Sequence, residues 1–116
     1  MSAPTLYASG TQVATSGSEH FLSSPNAAGV FTFHVDLVNM QAGDYTELRV
    51  YQIVLTSGST RVAYLETFQG AQSSDAMIAI SVPIGNDLTD TNSLRFSLKQ
   101  TLGTGRSYPW KILSYL

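Results

Sequence analysis

Across residues 29–37 apolar and polar side chains alternate without interruption: Phe31, Phe33, Val35 and Leu37 fall on one side of an extended chain, Thr32, His34 and Asp36 on the other. A period of two marks a strand with one buried face, so this segment predicts a strand whose aromatic side lines a core. The same period returns in residues 45–55, in 60–68 and in the last quarter of the chain, where residues 93–102 and 106–113 flank Gly103-Thr104-Gly105. That closing segment reads as a hairpin with Gly105 in the left-handed position, which sets Leu98 opposite Trp110 and Phe96 opposite Ile112 and makes those four the expected centre of the core. A lone hairpin is not stable in water, so its apolar face has to meet further strands.

Those further strands are separated by regular punctuation. Thr56-Ser57-Gly58-Ser59 is expected to reverse the chain with Leu55 opposite Thr60. Counting back brings Tyr51 against Tyr64, Arg49 against Glu66 and Val50 against Leu65; an aromatic pair and an opposite-charge pair, each worth about 0.2–1 kcal/mol, favour that register. Residues 76–82, Ala-Met-Ile-Ala-Ile-Ser-Val closed by Pro83, read as a central strand, and residues 38–44 break the alternation, with room for one helical turn before an Ala42-Gly43-Asp44 turn. Residues 85–92 are a loop by composition. The Ser-, Thr- and Gly-rich residues 1–20 hold an edge strand at 11–15 and otherwise predict an extended N-terminal arm, with residues 2–18 free to order against a neighbour. Many short strands without helical periodicity predict an all-β fold, an antiparallel β-sandwich or jelly-roll-like barrel of six to eight strands, as a single domain over residues 1–116.

Composition changes this picture in one respect. Charged residues are 12% against 43% hydrophobic, too apolar for a disordered chain and poor in the charges that keep a monomer soluble, which favours assembly. The charge is also uneven: residues 1–92 set Arg49 and Arg61 against all eight acids, whereas residues 93–116 hold Arg95, Lys99, Arg106 and Lys111 with no acid. Such asymmetry serves an electrostatic contact, within the fold or with a neighbouring subunit. With no cysteine there is neither a disulfide framework nor a thiolate metal site. The start lacks the basic residues and apolar run of a secretory leader, and no apolar run approaches the roughly 20 residues of a spanning helix, so no membrane contact is expected.

Candidate chemistry is sparse. His34 and Asp36 share a strand face, but no serine stands in a Gly-x-Ser-x-Gly turn, so no catalytic residue is assigned and no enzyme is expected. His20 and His34 supply at most half of a zinc shell. Asp87, Asp90 and Asn92 offer oxygen ligands without calcium-loop spacing and read as a solvated loop. Gly103-Thr104-Gly105-Arg106 lacks the Gly-Lys-Ser/Thr of a phosphate cradle, and no cofactor is expected. The polar side of the closing hairpin gathers Arg95, Ser97, Lys99 and Thr101 beside Ser107 and Lys111, and Pro109 interrupts one ladder bond, so Arg95, Lys99, Arg106, Pro109 and Lys111 form the candidate interaction set on an edge. Trp110, burying about 200 Å², would anchor it. Because Trp110 falls on the core side, direct nucleic-acid binding is not expected.

Two motifs add a resemblance. The run Gln41-Ala42-Gly43-Asp44-Tyr45-Thr46-Glu47-Leu48-Arg49-Val50 and the run from Leu98-Lys99-Gln100-Thr101 through Gly103-Thr104-Gly105-Arg106 to Tyr108-Pro109-Trp110 are similar to small β-sandwich virion structural proteins of tailed bacteriophages, closely in the two motifs and loosely over residues 30–113. The resemblance implies a virion role with no activity attached: a capsid decoration or cement protein, made in the host cytoplasm, bound to the major capsid protein and to copies of itself as a homotrimer on the capsid exterior. The alternative is a head-fibre, tail or receptor-adhesion module that binds carbohydrate, which would gather Tyr7, Tyr45, Tyr51 and Tyr64 in an open groove.

Overall fold

A computed structural model describes residues 3–88 and 92–115. Asp90 of the candidate calcium loop and Ser2 of the expected arm lie outside the described residues. The strands are β1 (Thr5–Val13), β2 (Glu19–Ser23), β3 (Gly29–Asp36), β4 (Tyr45–Gln52), β5 (Arg61–Gln69), β6 (Ile78–Ile80), β7 (Ile84–Asn86), β8 (Leu94–Leu102) and β9 (Ser107–Tyr115). They form two antiparallel sheets. Sheet A runs β1-β9-β3-β6, with β7 also pairing β3, and sheet B runs β2-β8-β4-β5.

The pairing is nested. First strand meets last, second meets second-to-last, β3 meets the broken strand β6/β7, and β4 meets β5 across the turn at residues 53–60. A long hairpin with its tip at that turn, rolled up until its two ribbons face each other, gives this order, which is the winding of a jelly roll.

The core is where alternation placed it. Phe31, Phe33, Val35 and Leu37 are fully buried, as are Leu94, Phe96 and Leu98 from β8 and Tyr108 and Ile112 from β9. Phe33 of sheet A meets Phe96 of sheet B at 5.4 Å between ring centroids, tilted by 54°, which joins the two layers at the middle of the sandwich. Tyr7 closes one end with its ring edge-on to Phe31 at 5.3 Å.

Several expectations are corrected. Residues 93–113 are not a hairpin: β8 lies in sheet B and β9 in sheet A, and residues 103–106 are the crossing between them. Alternation reports which side of a strand is buried, and an arch between layers has the same pattern as a hairpin within one. The left-handed residue of that crossing is Gly103, at φ 90°, while Gly105 serves close approach, since a Cβ there would strike the Ala14 carbonyl. Trp110 is half-buried against the core margin, beside Gly10 of β1, and fully buried Tyr108 takes the place expected for it. Strand β9 is interior, not an edge; Pro109 is accommodated because the ladder to β3 begins only at Trp110.

The β4–β5 register also differs by one residue, with Arg49 opposite Leu65, Leu48 opposite Glu66 and Val50 opposite Tyr64. The strand ends at Gln52 and the turn is wider than four residues, with Ile53 N–H donating to Ser93 O at 2.9 Å, and Ala63 forms a bulge. Residues 78–80 are an edge strand, because β3 is flanked by β9 on its other side and nothing pairs beyond β6 among the described residues. Most of residues 1–20 is no arm: β1 and β2 are the edges of sheets A and B.

Candidate interaction surfaces

Tertiary structure distributes the candidate interaction set among three places. Arg95 and Lys99 lie on the outer face of sheet B, Pro109 and Lys111 on the outer face of sheet A, and Arg106 at the crossing between the sheets. No single cationic patch is formed from them.

Arg106 is bound internally. Its Nε donates to Asp44 Oδ2 at 2.8 Å, and the same oxygen accepts Gln41 N–H at 2.9 Å, so the Ala-Gly-Asp turn and the Gly-Thr-Gly-Arg crossing hold each other. Burial alone would raise the Asp44 carboxyl, but the hydrogen bonds from Arg106 and Gln41 and the nearby guanidinium charge outweigh it and hold the group below its ordinary 3.8. Beneath this pair Gln100 uses its whole amide: Nε2 donates to Leu102 O at 3.0 Å and Thr104 O at 2.6 Å, and Oε1 accepts Arg106 N–H at 3.1 Å and the Tyr108 hydroxyl at 3.1 Å. Thr46 Oγ1 lies 2.8 Å from that hydroxyl. Both motifs quoted for the phage resemblance therefore contribute to one buried network, which determines where the chain changes layers.

The outer face of sheet B sets its charges against one another, beside half-exposed Phe21, Val62 and Leu65. Lys99 stands directly opposite Glu19 on one side and Glu47 on the other. Glu19 accepts the Ser97 hydroxyl at 2.6 Å and the Tyr51 hydroxyl at 2.5 Å, Arg49 bridges Glu47 at 3.0 Å, and Arg95 lies 4.1 Å over the Phe21 ring. Burial acts to raise Glu19, and the two hydroxyls with Arg49 and Lys99 overcome it, so it too is held below its ordinary 4.5. These contacts fasten β2 to the sheet.

The outer face of sheet A differs in character. A shallow groove of about 290 Å³ runs over it, with Leu6, Ile78 and Pro109 as apolar lining and His34, Asp36 and Lys111 at its polar side. Leu6 is 58% exposed, Ile78 60% and Val13 64%, an apolar surface crossed by few charges. His34 Nε2 lies 2.9 Å from Thr32 Oγ1, and Asp36 Oδ1 accepts Val38 N–H at 3.0 Å, so neither side chain of this pair is directed at the other. Partial burial, then the Lys111 charge opposite, holds His34 below its ordinary 6.5. Sequence reasoning missed this face because Leu6, Ile78 and Lys111 come from three distant segments, and the local sign, apolar residues at both 78 and 80, is also that of a central strand.

The three shifts act with one sign. Each group releases its proton more readily in the folded chain, so stability is fully present above its ordinary pKa and is lost as pH falls through the lowered one. Tm is expected to decline first below pH 6.5, as His34 becomes charged beside Lys111, and again below pH 4.5, as Glu19 and Asp44 take up protons. Melting followed by circular dichroism from about pH 8 to about pH 3 checks this; His34→Gln should abolish the upper step and leave the lower one.

The four tyrosines of a carbohydrate groove are dispersed: Tyr7 packs on Phe31, Tyr64 turns toward the core opposite Val50, and Tyr45 and Tyr51 lie on the outer face of sheet B. Among the described residues no three His, Asp or Glu side chains are grouped to hold a metal. No family model, curated protein or solved structure matches this chain.

Proposed function

We propose that this chain is a structural protein of a tailed-bacteriophage virion, a decoration protein that sits on the capsid exterior and stabilises the shell through the major capsid protein and copies of itself. The contrast between the two outer faces carries this reading. Sheet B sets its charges against one another beside half-exposed Phe21, Val62 and Leu65, whereas sheet A carries fewer charges and leaves Leu6, Val13, Ile78 and Ile80 more than half exposed. Exposed apolar side chains of this kind, of which Leu6 and Ile78 line one groove with Pro109, suit a surface for another protein. A thin sandwich, 41 × 32 × 19 Å, offers that face to a partner while the charge-paired side remains in solvent. Many copies each burying a modest contact add up to a large resistance against expansion of the shell. The jelly-roll winding is compatible with a virion protein but hosts other functions as well.

The test is rebinding. Particles from the phage that encodes this chain are stripped of it and titrated with purified protein. Wild type should restore occupancy. Leu6→Glu, on the outer face of sheet A, should weaken binding at least about tenfold, while Leu65→Glu on sheet B should bind like wild type. Absence of the protein from purified particles, or equal rebinding by both variants, refutes the proposal.

A further inference from the structure

Natural sheets blunt their edges, and three of the four edges here are blunted. Strand β1 is bulged at Tyr7, β2 is bulged at Leu22 and carries Glu19, and β5 is bulged at Ala63 and carries Arg61 and Glu66. Bulges interrupt the ladder and twist a strand away from a would-be partner. Strand β6 has none of these devices: its pairing with β3 is regular, and no charge occurs from Ala76 to Asn86. Its shortness limits the contact but leaves it available.

The unused groups can be identified. Leu37 N–H donates to Met77 O at 2.7 Å and Ser81 N–H to Phe33 O at 2.8 Å. In an antiparallel ladder the bonded pairs fall on alternate residues, so Met77, Ala79 and Ser81 turn their backbone groups to β3. The N–H and C=O of Ile78 and of Ile80 then point away from the sheet, where no strand pairs with them among the described residues. Their side chains, 60% and 58% exposed, stand on the outer face of sheet A.

We propose that β6 recognises β6 of a second copy. Two such strands, antiparallel about a two-fold axis normal to the sheet and midway between the Ala79 residues of the two copies, set Ile78 of each copy opposite Ile80 of the other. Each of those pairs exchanges both backbone hydrogen bonds, and every outward group on the two strands is used. The operation keeps the same face up, so four isoleucines gather on the outer side of a sheet that continues from one copy into the next. This self-complementarity is what selects a second copy over an unrelated strand. The contact is isologous and closes at two copies, and the next outward pair, Val82 with Ala76 of the other copy, is blocked because Ala76 N–H already donates to Ser73 O at 3.0 Å. Three residues bury far less than the roughly 1,000 Å² of a stable interface, so the dimer is weak and concentration-dependent. It is a different assembly from the threefold one expected from sequence, and it stands whether or not the chain decorates a capsid.

The chain has no cysteine, which makes the register directly testable. Ile78→Cys and Ile80→Cys are prepared separately and oxidised alone and mixed, at high protein concentration. Opposed residues of a bonded pair lie about 5.5 Å apart at Cα, within disulfide range, whereas two copies of the same residue are out of register and too far apart. The mixture should cross-link at least about tenfold faster than either variant alone. Sedimentation of the wild type should show mass rising toward a dimer with concentration, and Ile80→Lys should remain monomeric with unchanged melting. Equal cross-linking by a single variant, a mass that stays monomeric at every concentration, or a trimer would overturn the proposal.

Discussion

Gly103→Ala is expected to lower the unfolding free energy by about 3 kcal/mol, a fall in Tm of roughly 15 °C. Two effects combine. At φ 90° an alanine is held in a conformation that L residues avoid, at a cost of about 1–2 kcal/mol, and its Cβ would be driven into Asp44 Oδ1. Relief of that clash requires Asp44 to move, which detaches it from Arg106 and from Gln41 N–H. Gly43→Ala separates the two contributions: its φ is also 90°, but nothing lies within 4 Å of the added carbon, so only the conformational cost of about 1 kcal/mol should appear. Urea unfolding of both variants measures the difference. Equal losses would mean that the Asp44–Arg106 contact does not hold the crossing.

Gln100→Leu is the second large effect, again about 3 kcal/mol. The side chain fits the space, but four hydrogen bonds vanish. The Leu102 and Thr104 carbonyls belong to exposed residues and can turn to water, whereas Tyr108 is fully buried and Arg106 N–H faces the vacated amide. Tyr108→Phe should cost only about 1 kcal/mol, because Gln100 Oε1 retains Arg106 N–H. The double variant should lose less than the sum, since both changes act on one network. Strict additivity in a thermodynamic cycle would show that Gln100 and Tyr108 act independently.

Both residues lie in stretches that stand out in the sequence, yet their role was not readable there. Lys-Gln-Thr-Leu-Gly-Thr-Gly-Arg looks like a hairpin with a cationic rim, and Arg106 like a surface contact. In the fold Arg106 is tied to Asp44, 62 residues away, and Gln100 packs beneath both. Local patterning carries no information about which distant segment will supply a carboxylate. The same holds for the apolar outer face of sheet A, assembled from β1, β6 and β9, and for the Glu19 cluster, where β2, β4 and β8 converge.

What the sequence determined by itself was the sidedness of the strands. Phe31, Phe33, Val35, Leu37, Phe96, Leu98 and Ile112 are all fully buried because the backbone of an extended chain sends alternate side chains to opposite faces, and only one face can leave water. Pairing was decided by the tertiary structure. Sidedness is a local property, whereas the neighbour of a strand depends on closing both layers over a single core, and that closure placed β8 and β9 in different sheets, shifted β4 by one residue against β5 and left β6 at an open edge.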